Sequence, residues 1–105
     1  MDCTFVAPGK DGFESAILEG DCDLYSAPAF AKAAMSRIAA GTRRLRIDLS
    51  RVEYLDSSGV GALIRILQEA KKRGCELRFS GVGGSPRKVL KMTNVLTLMK
   101  EEGRR

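Results

Sequence analysis

Histidine and tryptophan are absent from this 105-residue chain, and only four Phe and two Tyr supply aromatic rings. Without histidine, a serine nucleophile has no imidazole base to take its proton. A zinc site would need the three cysteines, Cys3, Cys22 and Cys75, plus a carboxylate, at spacings unlike those of metal modules. The cysteines are odd in number and far apart, so they are expected to be reduced, small apolar side chains, with Cys22, between Asp21 and Asp23, the most reactive. No metal and no cofactor is expected. No apolar run approaches the roughly 20 residues a membrane span requires. The start, Met1-Asp2-Cys3, has neither the basic region nor the apolar stretch of a secretory leader. A soluble, cytoplasmic chain is expected.

The shortage of aromatics also bears on charge. The net charge is +5, which invites a nucleic-acid partner. The basic residues, however, fall in short clusters at element ends: Arg43-Arg44, Lys71-Lys72-Arg73 and Arg104-Arg105. Cations in a last helical turn complement the helix dipole. No aromatic ring is interleaved to stack on bases, so no nucleic-acid contact is expected, and an acidic protein partner suits the charge better. The 44% hydrophobic and 30% charged shares are those of a globular domain. A chain of this length buries roughly two-thirds of its unfolded surface, so one domain spanning residues 1–105 is expected.

Periodicity orders that domain. Thr4–Ala7 and Phe13–Leu18 read as strands joined by the turn formers Pro8-Gly9-Lys10-Asp11-Gly12. Gly20-Asp21-Cys22-Asp23 breaks the second strand. Ser26 caps a first helix, with Pro28 in its first turn and Phe30, Ala34 and Ile38 as its apolar stripe; Gly41 stops it. Leu45, Ile47 and Leu49 alternate with Arg46 and Asp48 as a strand. A second helix starts around Ser58, turns Val60, Leu63, Ile64, Leu67 and Ala70 inward, and ends at Gly74. Glu76–Ser80 is a strand, Gly81–Ser85 a loop, and Pro86 opens a third helix through about Thr93. Val95–Glu102 is a short apolar segment running into a charged, frayed tail. The predicted fold is α/β: a mixed central sheet of 4–5 strands, an N-terminal edge hairpin and 3–4 helices.

Two segments carry chemistry. Asp56-Ser57-Ser58-Gly59-Val60-Gly61 sets two hydroxyls and two glycines at a strand-to-helix junction. A helix N-terminus offers free N–H groups and the positive dipole end, a good seat for phosphate. Each glycine gives up about 1 kcal/mol of helix propensity relative to alanine, which argues for a close approach there. The G-x-S-x-G elbow is missing, since Asp56 stands where glycine is needed. Gly81-Val82-Gly83-Gly84 fails as a dinucleotide loop because Pro86 takes the sixth position. Asp21, Asp23 and Asp56, all at strand ends, are candidates to meet at one edge of the sheet, as turn and cap residues or around a cation.

Together these features resemble the STAS domain. Asp56–Gly61 looks like the phosphorylation segment of the bacterial anti-sigma factor antagonists. Gly20-Asp21-Cys22-Asp23-Leu24, followed by Ser26-Ala27-Pro28, resembles that family's second signature, with Cys22 in the apolar place. The resemblance implies a non-catalytic antagonist that binds an anti-sigma factor serine kinase and so releases a sigma factor. It implies phosphorylation of Ser58 as the off-switch and a PP2C-type phosphatase as the reset. Ser57 would cap or support the loop, and Asp21, Asp23, Asp56, Ser57, Gly59 and Gly61 would form the partner surface of a chain that is monomeric when free. The alternative within the resemblance is a STAS scaffold subunit of a lipid-transport ABC system or a stressosome; the intact phosphoacceptor segment favours the switch.

Overall fold

The computed structural model describes residues 1–103, and Arg104 and Arg105 lie outside the described residues. Four strands form one mixed sheet in the order β1-β2-β3-β4. β1 (Asp2–Val6) runs antiparallel to β2 (Glu14–Cys22); β3 (Arg44–Leu55) and β4 (Glu76–Ser80) are parallel to it. The connections are α1 (Ala27–Ala39) and α2 (Ser57–Arg73), and α3 (Gly84–Met92) follows β4. The expected hairpin is at an edge, as the order of elements requires.

Alternation decides which sheet face is covered. Ala16, Leu18, Leu45, Ile47, Leu49, Leu77 and Phe79 point to one side and form a single core with Phe30, Ala31, Ala34 and Ile38 of α1 and Val60, Leu63, Ile66 and Ala70 of α2. Each large side chain so buried is worth about 1.5–3 kcal/mol. Three of the five buried residues of α1 are alanines, and α1 packs along α2. Glu14, the one buried charged residue described, ends this face at the start of β2. Its carboxylate accepts from Arg37 Nη1 and Thr42 Oγ1, both at 2.8 Å, so the burial is compensated. Arg37 also lies over the Phe5 ring, 4.3 Å from its centre.

The opposite sheet face is half-exposed and rich in arginine. Arg46 pairs with Asp11 and, through Nε at 2.6 Å, with Glu102; Arg78 pairs with Glu76 at 2.6 Å. Arg44, Arg46 and Arg78 all stand within 6 Å of the Phe13 ring. Part of the basic excess is therefore spent inside the fold.

Several boundaries differ from the sequence reading. β2 does not break at Gly20. Gly20 takes φ +106 and the strand bends at register shifts, but pairing resumes through Asp21↔Tyr54 and Cys22↔Leu55. α3 starts two residues before Pro86. The segment read as a frayed tail is tied down: Phe79 N–H donates to the Lys100 carbonyl at 2.8 Å and Glu102 N–H to the Phe79 carbonyl at 2.7 Å. Arg87 holds Glu101 at 2.7 Å. Residues 100–102 thus sit where a fifth strand would, as a single bridge beside β4.

Candidate functional site

β2 and β3 are parallel neighbours, and both end at the same level, Cys22 opposite Leu55. The loops that follow them therefore emerge side by side. That is why two segments more than 30 residues apart in sequence share one end of the molecule.

After β3, Asp56 takes extended backbone angles (φ −106, ψ −170) and caps α2. Its Oδ1 accepts from Ser58 N–H at 2.8 Å and Gly59 N–H at 3.2 Å. Ser57 is thus the first residue of α2 and not its cap, and Asp56 supplies the capping oxygen. Asp56 N–H donates to the Cys22 carbonyl at 3.3 Å, joining the two loops. Ser57 is exposed and Ser58 half-buried, and neither hydroxyl has a hydrogen-bond partner among the described residues.

The two glycines differ. Gly59 is buried, and a Cβ there would lie 2.8 Å from the Cys22 carbonyl oxygen, 3.0 Å from Leu55 Cγ, and closer still to Leu55 Cδ1. The space beside Gly59 is filled by the chain's own strand ends. Around Gly61 nothing lies within 4 Å of such a Cβ, so this helical glycine faces open space.

After β2, Asp23 organises a tight turn. Its Oδ1 accepts from Tyr25 N–H at 3.0 Å and from Ser26 N–H and Ser26 Oγ at 3.1 Å. The Ser26 N–H bond, with the Ser26 hydroxyl and Tyr25 N–H, holds this carboxyl below the usual carboxylate range. Ser26 precedes α1 as expected, yet its side chain does not cap that helix. It turns back, accepting from Asp23 N–H at 3.0 Å and lying 2.8 Å from the Asp21 carbonyl. Asp23 and Asp56 both act on Cys22, and both carboxylates are engaged in turn and cap bonds; with Asp21 they do not form a cation cluster among the described residues. Cys22 itself is fully buried, and burial, reinforced by Asp56 and Asp23, pushes its thiol up to about 11. The expectation that it is the reactive cysteine is overturned: a buried thiol flanked by negative charge resists ionisation.

Sequence reasoning missed three residues here. Leu24 and Tyr25 stand on the Asp23 turn at 64% and 89% exposure, and Tyr54, beside Asp21 in the register, is 48% exposed. The signal was present in Leu24-Tyr25, apolar side chains inside a polar turn. Tyr54 was hidden because the β3 bulge changes which residues face outward.

The model described as "Mlab, STAS domain" matches residues 16–100. The chain belongs to the STAS domain family. Its relatives include the anti-sigma-B factor antagonist of Staphylococcus aureus, 27% identical over 99 residues, covering 94% of this chain and 92% of the relative. A STAS-domain containing protein of Pseudomonas aeruginosa is 31% identical over 94 residues, covering 89% and 92%. Among solved structures, an anti-sigma factor antagonist from Mycobacterium paratuberculosis superposes with a TM-score of 0.81 at 24% identity, covering 98% of this chain and 87% of that one. In this STAS domain no helix among the described residues is long and apolar enough to cross a membrane.

Proposed function

We propose that this STAS domain is an anti-sigma factor antagonist: it binds an anti-sigma factor that is also a serine kinase, frees the sigma factor, and is switched off when that kinase phosphorylates Ser58. The observation that carries the reading is the Ser58 hydroxyl. It stands in the first turn of α2, half-exposed, without a hydrogen-bond partner among the described residues. Leu24 and Tyr25 on the turn after β2, and Tyr54 near the end of β3, are exposed and offer the apolar and aromatic anchors that protein interfaces use.

The two charge states act differently on the fold and on the complex. A phosphoserine adds about −1.5 to −2 charge at pH 7. Within the domain, the dipole of α2 offsets the repulsion from Asp56, whose carboxylate already holds the Ser58 and Gly59 N–H groups, so the fold is retained. A partner packed on the same turn has no such compensation, and must seat a bulky dianion beside Asp21, Asp23 and Asp56. A penalty of about 3–4 kcal/mol there lowers affinity several-hundred-fold. Gly61 leaves room for the partner's backbone, while Gly59 serves by letting α2 start close against Cys22. The domain acts in the cytoplasm as a non-catalytic monomer, and a PP2C-type phosphatase resets it. Incubation with ATP, Mg²⁺ and the cognate kinase, followed by mass-spectrometric mapping, is expected to place one phosphate on Ser58 and none on Ser58→Ala. Label on Ser57, or undiminished label on Ser58→Ala, overturns the assignment.

A further inference from the structure

α2 has more apolar surface than the core uses. α1 lies along the flank bearing Arg65 and Glu69. On the other flank Ile64, Leu67, Gln68 and Lys71 form a second stripe at the i, i+3, i+4, i+7 spacing of a helix–helix contact. That stripe is about 10 Å long, two helical turns. It is one wall of a groove of about 610 Å³; Leu98 and Lys100 form the facing wall, and Ala70, Cys75 and Leu77 line the space between. Ile64 and Leu67 are only half-buried, and Leu98 is 64% exposed.

The charges select the occupant. Neither Lys71 nor Lys100 has an ion-pair partner among the described residues. The carboxylate of the groove, Glu76, is already held by Arg78 at 2.6 Å and Arg44 at 3.5 Å. The free charges are thus both cationic and stand on opposite walls. We infer that this groove docks an acidic amphipathic helix of a partner protein, two turns of its apolar stripe lying against Ile64, Leu67, Leu77 and Leu98 and its carboxylates on Lys71 and Lys100. Along α2 the stripe runs from about 9 Å (Ile64) to about 20 Å (Lys71) from Ser58, with the α2 cation at the far end, so the groove holds its partner whatever the state of the phosphorylation site. The protein then bridges a switched partner and a constitutive one.

The test uses the ¹⁵N-labelled full chain titrated with a 14-residue helical peptide bearing four leucines on one stripe and four glutamates elsewhere. Its lysine counterpart and laurate are titrated separately. Saturable shifts at residues 64–71 and 98–100 with the acidic peptide alone are expected. The double charge reversal Lys71→Glu/Lys100→Glu, at two exposed positions, should keep the spectrum of a folded domain, weaken the acidic peptide at least tenfold (about 1.4 kcal/mol) and gain binding to the lysine peptide. Ser58→Asp should leave the acidic peptide's affinity unchanged, which separates this result from the fate of the phosphorylation model. Equal binding of both peptides, shifts confined to other surfaces, no binding, or saturation by laurate in place of the peptide overturns the proposal.

Discussion

Alanine at Gly59 and alanine at Gly61, two positions apart on α2, should shift stability in opposite directions. On helix propensity alone both substitutions stabilise, by up to about 1 kcal/mol. At Gly61 nothing lies within 4 Å of the added methyl, so the propensity gain survives at about 0.5–1 kcal/mol. At Gly59 the methyl would sit 2.8 Å from a backbone oxygen, that of Cys22, and against Leu55, which is itself 2% exposed in the core. No rotamer change relieves the contact with the Cys22 backbone oxygen, so the start of α2 must move. Overpacking of this kind costs about 1–3 kcal/mol, which against the propensity gain leaves a net loss centred on about 1 kcal/mol. Urea unfolding with m about 1 kcal/mol/M should then separate the two midpoints by about 2 M. Gly59→Ala with stability equal to or above wild type would refute the packing argument that joins the two loops.

Other expectations follow from the same contacts. Asp56→Ala should lose about 1 kcal/mol of unfolding free energy in urea, with Asp56→Asn recovering most of it, because only a capping oxygen is at stake. Alkylation of native Cys22 at pH 8 should be negligible, since a thiol at about 11 leaves about one molecule in a thousand ionised; labelling at the rate of a free thiol would contradict its burial. The same thiol titrates near 9 when unfolded and near 11 when folded. Between those values the unfolded state therefore binds fewer protons, and stability should fall as pH rises, less steeply in Cys22→Ala. Tyr25→Ala, at an 89% exposed position, should leave the melting temperature unchanged and weaken kinase binding at least tenfold by calorimetry.

What the sequence made legible was periodic. Alternation gives β4 its observed bounds, Glu76–Ser80, and the order of elements puts the hairpin at an edge. Misreadings arose where a non-local contact overrode a local signal. Gly20 looks like a strand breaker, but its neighbours pair with the bulged second half of β3, information that resides on another strand. The inward stripe of α2 was read without Ala62 and Ile66, because α1 covers a second flank of that helix. Ser57 looked like the helix cap until the register placed Asp56 at the junction. Glu101 and Glu102 looked like a solvated tail, yet Arg87 and Arg46 hold them. At the site, both signature segments were visible as strings of residues. Their adjacency depends on β2 and β3 ending in register, and the exposed Leu24, Tyr25 and Tyr54 depend on the turn and bulge geometry.

In the proposed switch, a charge on Ser58 decides partner binding without altering the fold. Its most direct measurement is calorimetric affinity for the cognate kinase alongside the thermal melt, for wild type, Ser58→Ala and the enzymatically phosphorylated protein. Melting temperatures within a few degrees of one another, near-wild-type affinity for Ser58→Ala, and a several-hundred-fold loss on phosphorylation are expected. Equal affinity of the phosphorylated and unphosphorylated protein would contradict it, as would a loss of affinity that only tracks unfolding.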